Sequence, residues 1–340
     1  MKNPILVLIA IMMLACKQNP GRDTREKISY IVDSYAADSK FVGNVLVAIS
    51  DSIIYEGSKG FSDAASGKRN TDSTRFLIAS LSKPLTAVMI LRLIEKKVIQ
   101  LDDRLGQYFN VKHPDMAKVT IHQLLTHTSG ISDFIGKAPR TNLEDELNQS
   151  SAAFNARQGF KYANSGYVLL TAIAGKATGK TYHELMTEQV FSIAGMKHSG
   201  VARQNIKGII ALGYTSAAQS TATFADFPLE NVDGAGSVYA TTKDLFAFDN
   251  ALRTGKLLSK ESLQKMFSQQ VFERYGYGWY VRERGGQWDT YWQQGNLQGY
   301  TSYMSRNIRS NKLIVVLSNA ENIDLSELER DISKVLKKDD

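Results

Sequence analysis

Strand-like sequence lies at the two ends of this chain, and helical sequence fills the interval between them. Residues 42–49 and 52–60 are apolar and β-branched runs separated by Ser50 and Asp51, the pattern of a hairpin. Residues 277–282, 299–306 and 313–318 are again short aromatic and β-branched runs. Residues 25–37 and 325–336 have helical spacing, and from residue 76 to about 252 helical patterns dominate. Loops rich in Gly, Ser, Thr and Asn, including 126–130 and 205–233, interrupt that stretch. The early and late strands are therefore expected to share one sheet built from both termini, with a helical insertion. This is an α/β chain of the α+β type: a signal and tether over 1–23, a sheet domain from 24–75 plus 255–340, and a mainly helical domain over 76–254. The 340 residues are 43% hydrophobic and 22% charged, which excludes disorder as the main state and permits a large core.

Cys16 is the only cysteine, which excludes an internal disulfide, a Cys-rich zinc site and a thioredoxin-type pair. The five histidines, at 113, 122, 127, 183 and 198, are scattered, so no metal is expected. Lys2 precedes an apolar run over residues 5–14, then Ala15, Cys16 and a polar stretch. That run is about half of the ~20 residues a spanning helix needs, and it matches the apolar region of a secretion signal. Met13-Leu14-Ala15-Cys16 resembles a bacterial lipoprotein signal, in which the cysteine is lipidated; a conventional signal cleaved nearby, or an N-terminal anchor, is the alternative. Either way the expected location is the cell envelope, with lipidation implying a periplasmic or outer-membrane-associated protein tied to the membrane through an N-terminal lipid anchor. The net charge of +7 comes from 41 basic and 34 acidic residues spread along the chain. Without dense Lys/Arg runs this reads as a solvated basic surface and no nucleic-acid partner.

Several catalytic signatures are absent. There is no Gly-x-Ser-x-Gly elbow, residues 175–181 are one residue short of a phosphate-binding loop and read as a helix end, and His183-Glu184 lacks the second histidine of a zinc protease. Ser80-Leu81-Ser82-Lys83 stands out, because it follows the apolar residues 76–79 and opens a long amphipathic run. If a helix starts here, residues three apart share a face, so the Lys83 ammonium can reach the Ser80 hydroxyl while Ser82 points elsewhere. A serine at a helix start also has the positive end of the dipole and free N–H groups beside it. Ser-x-x-Lys alone is common by chance and reads first as an ordinary helix cap with a solvated Lys83.

Two further stretches complete an ordered set: Tyr162-Ala163-Asn164, and Gln293-Gln294-Gly295, which begins a candidate strand leading to Gly299-Tyr300-Thr301. With these the sequence resembles the serine β-lactamase and penicillin-binding-protein superfamily, particularly its class C β-lactamase, DD-peptidase and esterase branch. Residues 124–130 (Leu-Leu-Thr-His-Thr-Ser-Gly), Leu101-Asp102-Asp103, Ser165-Gly166-Tyr167, Ala235-Gly236-Ser237 and Thr242-Lys243-Asp244-Leu245 are similar to recurrent segments of that branch, and the resemblance runs over roughly 25–338. It implies the β-lactamase/transpeptidase-like fold, an antiparallel sheet flanked by helices with an inserted mainly helical domain.

It also implies that Ser80 is acylated, that Lys83 assists its deprotonation, and that Tyr162 relays protons to the leaving group and activates the deacylating water. Tyr162 would gain anionic character from the Lys83 cation, a neighbouring cation lowering the pKa of phenol and amine. Asn164 would hydrogen-bond the substrate amide. Gly295 would belong to the substrate-binding strand, and the backbone N–H groups of Ser80 and Asn296 would form the oxyanion hole. No cofactor is implied. His127 is read as a packed histidine of a structural loop, Arg253-Thr254-Gly255 as a helix end, and Tyr291 and Trp292 as either acyl-pocket or strand-packing residues. Gln293 departs from the family pattern of Lys or His. It can donate a hydrogen bond but offers no charge to a substrate carboxylate.

The expectation is thus an exported serine hydrolase acting through Ser80 on amide or ester bonds, of β-lactams or of D-Ala-D-Ala-like, cell-wall-derived peptides. A carboxylesterase of the same fold is the first alternative, and a non-catalytic envelope binding protein the second.

Overall fold

The computed structural model describes residues 20–136, 142–156, 159–203, 206, 208–223, 228–268 and 274–337. Cys16 lies outside them. Among the described residues no helix is long and apolar enough to cross a membrane.

The main sheet has six strands, numbered here in chain order: β1 (Gly43–Ile49), β2 (Ser52–Lys59), β3 (Tyr280–Arg284), β4 (Gln287–Leu297), β5 (Tyr300–Asn307) and β6 (Lys312–Ser318). Their spatial order is β3-β4-β5-β6-β1-β2, antiparallel throughout. The hairpin from the N-terminal end thus joins the C-terminal strands across β1–β6, with Val45 opposite Val316 and Val47 opposite Ile314.

Side chains alternate between the two faces of a strand, and each face has its own cover. On one side Val45, Val47, Ile314 and Val316 pack with Ile28 and Val32 of helix α1 (Pro20–Ala37) and with Leu328 and Ile332 of a C-terminal helix over Leu325–Lys337. On the other, Leu46, Ala48, Val315 and Leu317 belong to the large core of the helical part, with Leu85, Val88, Leu245 and Phe248. A strand buried on both faces reads as an unbroken apolar run, as 313–317 does.

The buried centre of the helical part is α2 (Ser82–Glu95), whose residues 82–91 are all buried. A helix apolar around its whole circumference belongs inside. Beside it lies α3 (Asn164–Thr178), ended by Gly179 in the left-handed conformation. Residues 175–181 are therefore a helix end. Helix α4 (Thr242–Arg253) likewise ends just before Gly255, which accounts for Arg253-Thr254-Gly255. Within the helical stretch Val238–Ala240 pairs with both Phe76–Leu77 and Gly200–Val201, a small three-stranded sheet that periodicity did not indicate. Two- and three-residue strands are too short to carry a period.

The structure corrects the expected start of the third-motif strand. The strand runs over all of Gln287–Leu297, and Gln293-Gln294-Gly295 stands near its end, before a turn at Gly299 (φ +79). Asp289, Gly295 and Asn296 within this run are weak strand formers, so pairing with β3 and β5 on its two sides decides its conformation.

Candidate active site

Ser80 is not in the first turn of an α-helix, as its spacing predicts, but in a 3₁₀ turn, Ala79–Leu81, that runs directly into α2. No side-chain cap bond forms at either start, so the cap alternative for Ser80 fails. Ala79 has φ +47, a left-handed conformation that costs an L-residue roughly 1–2 kcal/mol. The pairing of Phe76–Leu77 on one side and the buried helix on the other hold that bend in place, with Ile78 N–H donating to Val238 O at 2.9 Å. Ser82 points away, its Oγ accepting from Val238 N–H at 3.1 Å.

Lys83 has no exposed surface, and its Nζ donates to Ser80 Oγ at 2.9 Å, Asn164 Oδ1 at 2.7 Å and Ala235 O at 3.1 Å. Burial draws its ammonium from 10.5 down to about 7, opposed by the carboxylate of Asp133. A lysine so placed is an available base near neutral pH.

Tyr162 lines the same cavity as Ser80. Burial pushes its phenol above the ordinary tyrosine range, opposed by a hydrogen bond to Ser80. This overturns the expected anionic character. Lys83 Nζ sits 4.7 Å over the face of the Tyr162 ring, its own positive charge is already lowered by burial, and desolvation therefore dominates at both groups. The free site holds a neutral phenol and a labile amine.

His127 supports that phenol. It is 2% exposed, with φ +56, and its ring lies 4.2 Å from the Tyr162 ring at 33°. Nδ1 accepts from Ala163 N–H at 3.2 Å, Nε2 faces Tyr275 Oη at 3.3 Å, and the carbonyl accepts from Lys161 N–H at 2.8 Å. Accepting at Nδ1 places the proton on Nε2. Burial, with Lys83 beside it, keeps the ring neutral.

Asn164 is the first residue of α3, and both ends of its amide are occupied: Oδ1 by Lys83, and Nδ2 by Asp133 Oδ2 at 3.3 Å. Asp133 Oδ1 also accepts from Ser165 N–H at 2.8 Å, capping the helix from a separate loop. Sequence reading missed Asp133, because capping signals are sought immediately before a helix and this one comes from 31 positions ahead of Asn164.

Strand β4 closes the site. A Cβ on Gly295 would stand 2.8 Å from Ser80 N and 2.6 Å from Ile78 O, so only glycine lets the strand approach the nucleophile turn. Gln293 is fully buried, its Nε2 donating to Tyr162 Oη at 3.3 Å and Ser80 O at 3.4 Å. Ser80, Tyr162, Asn164, Gln293 and Asn296 line one cavity of about 420 Å3, so the structure brings the expected residues together. Tyr291 and Trp292 are not among its lining residues. Tyr291 stacks on Phe267 and donates to Asp249 Oδ1 at 2.6 Å, while Trp292, on the opposite face of the strand, stacks on Tyr280. Tyr280 lines the cavity in their place. Among the described residues no group of His, Cys, Asp and Glu could hold a metal ion.

A sequence model described as Beta-lactamase matches residues 31–336. A penicillin-binding protein of Bacillus subtilis (strain 168) is 29% identical over 330 residues, covering 88% of this chain and 73% of that protein. A teichoic acid D-alanine hydrolase of Staphylococcus aureus (strain MRSA252) is 24% identical over 262 residues, covering 74% of this chain and 65% of that protein. Among solved structures, a D-amino acid amidase from Ochrobactrum anthropi SV3 superposes with a TM-score of 0.78 at 24% identity, covering 93% of this chain and 99% of the other.

Proposed function

The chain belongs to the Beta-lactamase family, whose members here are serine hydrolases related to penicillin-binding proteins, and from that premise we propose that it cleaves amide or ester bonds through an acyl-enzyme on Ser80. The observation that carries this is the buried Lys83 amine, 2.9 Å from Ser80 Oγ and drawn to about 7. Neutral Lys83 takes the Ser80 proton as Oγ attacks the carbonyl carbon. The oxyanion is received by the N–H groups of Ser80 and Asn296, each such donor being worth about 10²–10³ in rate. Neutral Tyr162, beside Ser80 in the cavity lining, passes a proton to the leaving group, and the same groups run in reverse activate the water that frees Ser80. The names of the relatives support a β-lactam or D-alanyl amide or ester as substrate.

A carboxylesterase is the second reading, supported by Gln293 where a cation would serve a substrate carboxylate. The signal-like residues 1–16 support export, with lipidation at Cys16 and attachment to the cell envelope; mass spectrometry of the mature N-terminus tests this.

The catalytic reading is tested by labelling with a fluorophosphonate and a fluorescent penicillin. Attachment to the wild type and none to Ser80→Ala is the expected result. Equal labelling of the two proteins, or none of either, removes the hydrolase assignment. Turnover of p-nitrophenyl esters without that of a chromogenic cephalosporin or a D-Ala-D-Ala peptide selects the esterase.

A further inference from the structure

Lys83 and Ser80 belong to a chain of hydrogen bonds whose direction follows from the chemistry of its members. Lys83 Nζ meets Ser80 Oγ at 2.9 Å, Asn164 Oδ1 at 2.7 Å and Ala235 O at 3.1 Å. An ammonium donates to all three. The neutral amine that takes the Ser80 proton has two hydrogens and one lone pair. Carbonyl oxygens only accept, so Asn164 and Ala235 hold the two hydrogens. The lone pair is left for Ser80, whose hydroxyl can donate.

That result depends on which end of the Asn164 amide faces Lys83. With the amide reversed, its NH2 would donate to the lone pair, and the amine would turn a hydrogen toward Ser80. Asp133 fixes the orientation from a separate loop. Its Oδ2 accepts from Asn164 Nδ2 at 3.3 Å and its Oδ1 from Ser165 N–H at 2.8 Å, and a carboxylate has no hydrogen to offer in return. Phe134 N–H donates to Ser165 Oγ at 2.8 Å and holds the loop on the helix. Ala163, the residue before α3, supplies no side-chain cap, so the N–H of the fully buried Ser165 depends on the Asp133 oxygen.

We propose that Asp133 is a positioning residue for catalysis: it sets the polarity of the chain Asp133–Asn164–Lys83–Ser80 so that the lone pair of the neutral amine faces the nucleophile. The proposal rests on the hydrolase reading above and deepens it. In acylation the Ser80 hydroxyl gives its proton to that lone pair as Oγ bonds to the electrophilic atom and the leaving group departs with its bonding electrons. The resulting Lys83 ammonium keeps its bonds to Asn164 and Ala235.

The test compares two substitutions that remove the same charge. Asp133→Ala deletes both acceptors and leaves the Asn164 amide free to follow Lys83. Asp133→Asn keeps an oxygen for Ser165 N–H, but its NH2 then takes the place of Oδ2. The Asn164 amide must turn its oxygen toward that NH2 and its own NH2 toward Lys83. The measured quantity is the rate of Ser80 labelling by a neutral fluorophosphonate across pH, in which the Oγ–P bond forms as P–F breaks. The titratable groups around Lys83 are Tyr162 and Tyr167, whose rings lie 4.7 and 5.8 Å from Nζ, His127, and Asp133, whose carboxylate favours the ammonium. Both variants should therefore lower the midpoint of the profile to the same extent.

On the plateau above the midpoint, Asp133→Ala should stay within about threefold of the wild type. Asp133→Asn should be about 30-fold slower than Asp133→Ala, the equivalent of about 2 kcal/mol. Their Tm values should rank the other way, because only asparagine preserves the cap. Adding Asn164→Asp to Asp133→Asn places acceptor oxygens toward both neighbours, and should return the plateau to within about threefold of Asp133→Ala with a midpoint above that of the wild type. Equal plateaus for the two single variants, a faster Asp133→Asn, or a double variant no faster than Asp133→Asn overturns the proposal while the hydrolase reading stands. If Asp133→Asn alone does not fold, the double variant is read against Asp133→Ala, and a deficit of tenfold or more overturns the proposal. Absence of labelling in the wild type removes the hydrolase reading itself.

Discussion

Lys83 Nζ lies 4.7 Å over the face of the Tyr162 ring and 2.9 Å from Ser80 Oγ. The amine therefore meets the Ser80 hydroxyl through its proton and the phenol through its π-cloud, a contact that favours a cation by about 0.5–2 kcal/mol. Burial acts against that cation and prevails, since the Lys83 pKa falls from 10.5 to about 7. The tyrosine is left neutral and able to donate.

The pH dependence follows. The rate of Ser80 acylation by a neutral fluorophosphonate should rise through pH 7 and level off above it, as Lys83 loses its proton. The stability effect has a defined sign. Unfolded Lys83 keeps its proton up to 10.5 while the folded one loses it at about 7, so between these values the unfolded state binds more protons and stability rises with pH. The Tm of the wild type relative to Lys83→Met should increase from pH 7 to 10.5, and calorimetry at both ends checks it. A flat difference contradicts the depressed lysine.

His127→Phe keeps a ring against Tyr162 but removes the acceptor for Ala163 N–H. One buried donor left unpaired costs about 1–3 kcal/mol, and Tyr162 loses its register against Ser80. The expected outcome is a kcat about tenfold lower with an unchanged far-UV spectrum. Because His127 is neutral when folded, the wild-type rate should show no histidine titration that this variant abolishes.

Gly295→Ala should be the most damaging small substitution at the site. The new methyl would meet Ser80 N at 2.8 Å and Ile78 O at 2.6 Å, both backbone atoms with no freedom to rotate away. Displacing one oxyanion donor costs about 10²–10³ in kcat. Single-turnover acylation measures this, and a loss confined to KM would show that Ser80 N–H is undisturbed.

Asp249 and Arg306 form an ion pair at 3.2 Å that is 0% and 1% exposed, and Tyr291 donates to the same carboxylate. Removing one member of a buried pair strands the other, typically at about 3–5 kcal/mol. Asp249→Ala should therefore lower stability to denaturant by that amount while the labelling rate of Ser80 in the folded fraction stays at the wild-type value. A destabilisation below ~1 kcal/mol would mean that water or movement of Arg306 compensates.

Much of the architecture was legible because it depends on local period. The hairpin at 43–59, the apolar run at 313–318 and the helix over 325–337 each contain enough residues for alternation or helical spacing to show. Strand β4 was legible only at its motif, since Asp289, Gly295 and Asn296 suit strands poorly and sheet pairing overrules them. Ser80, Lys83, Tyr162 and Asn164 could be named as candidates from their order along the chain, with Gln293 marking the departure, and the structure gathers them around one cavity.

What residue order and spacing carried by themselves was the ordered set of segments by which the chain resembles its family, and the elements on which those segments lie. The states of those side chains belong to tertiary structure alone. The Lys83 ammonium is drawn down because residues distant in sequence exclude water from it, the Tyr162 phenol is pushed up for the same reason, and Asp133 reaches Asn164 across 31 positions. Desolvation and long-range hydrogen bonds are properties of the assembled interior, and no local pattern encodes them.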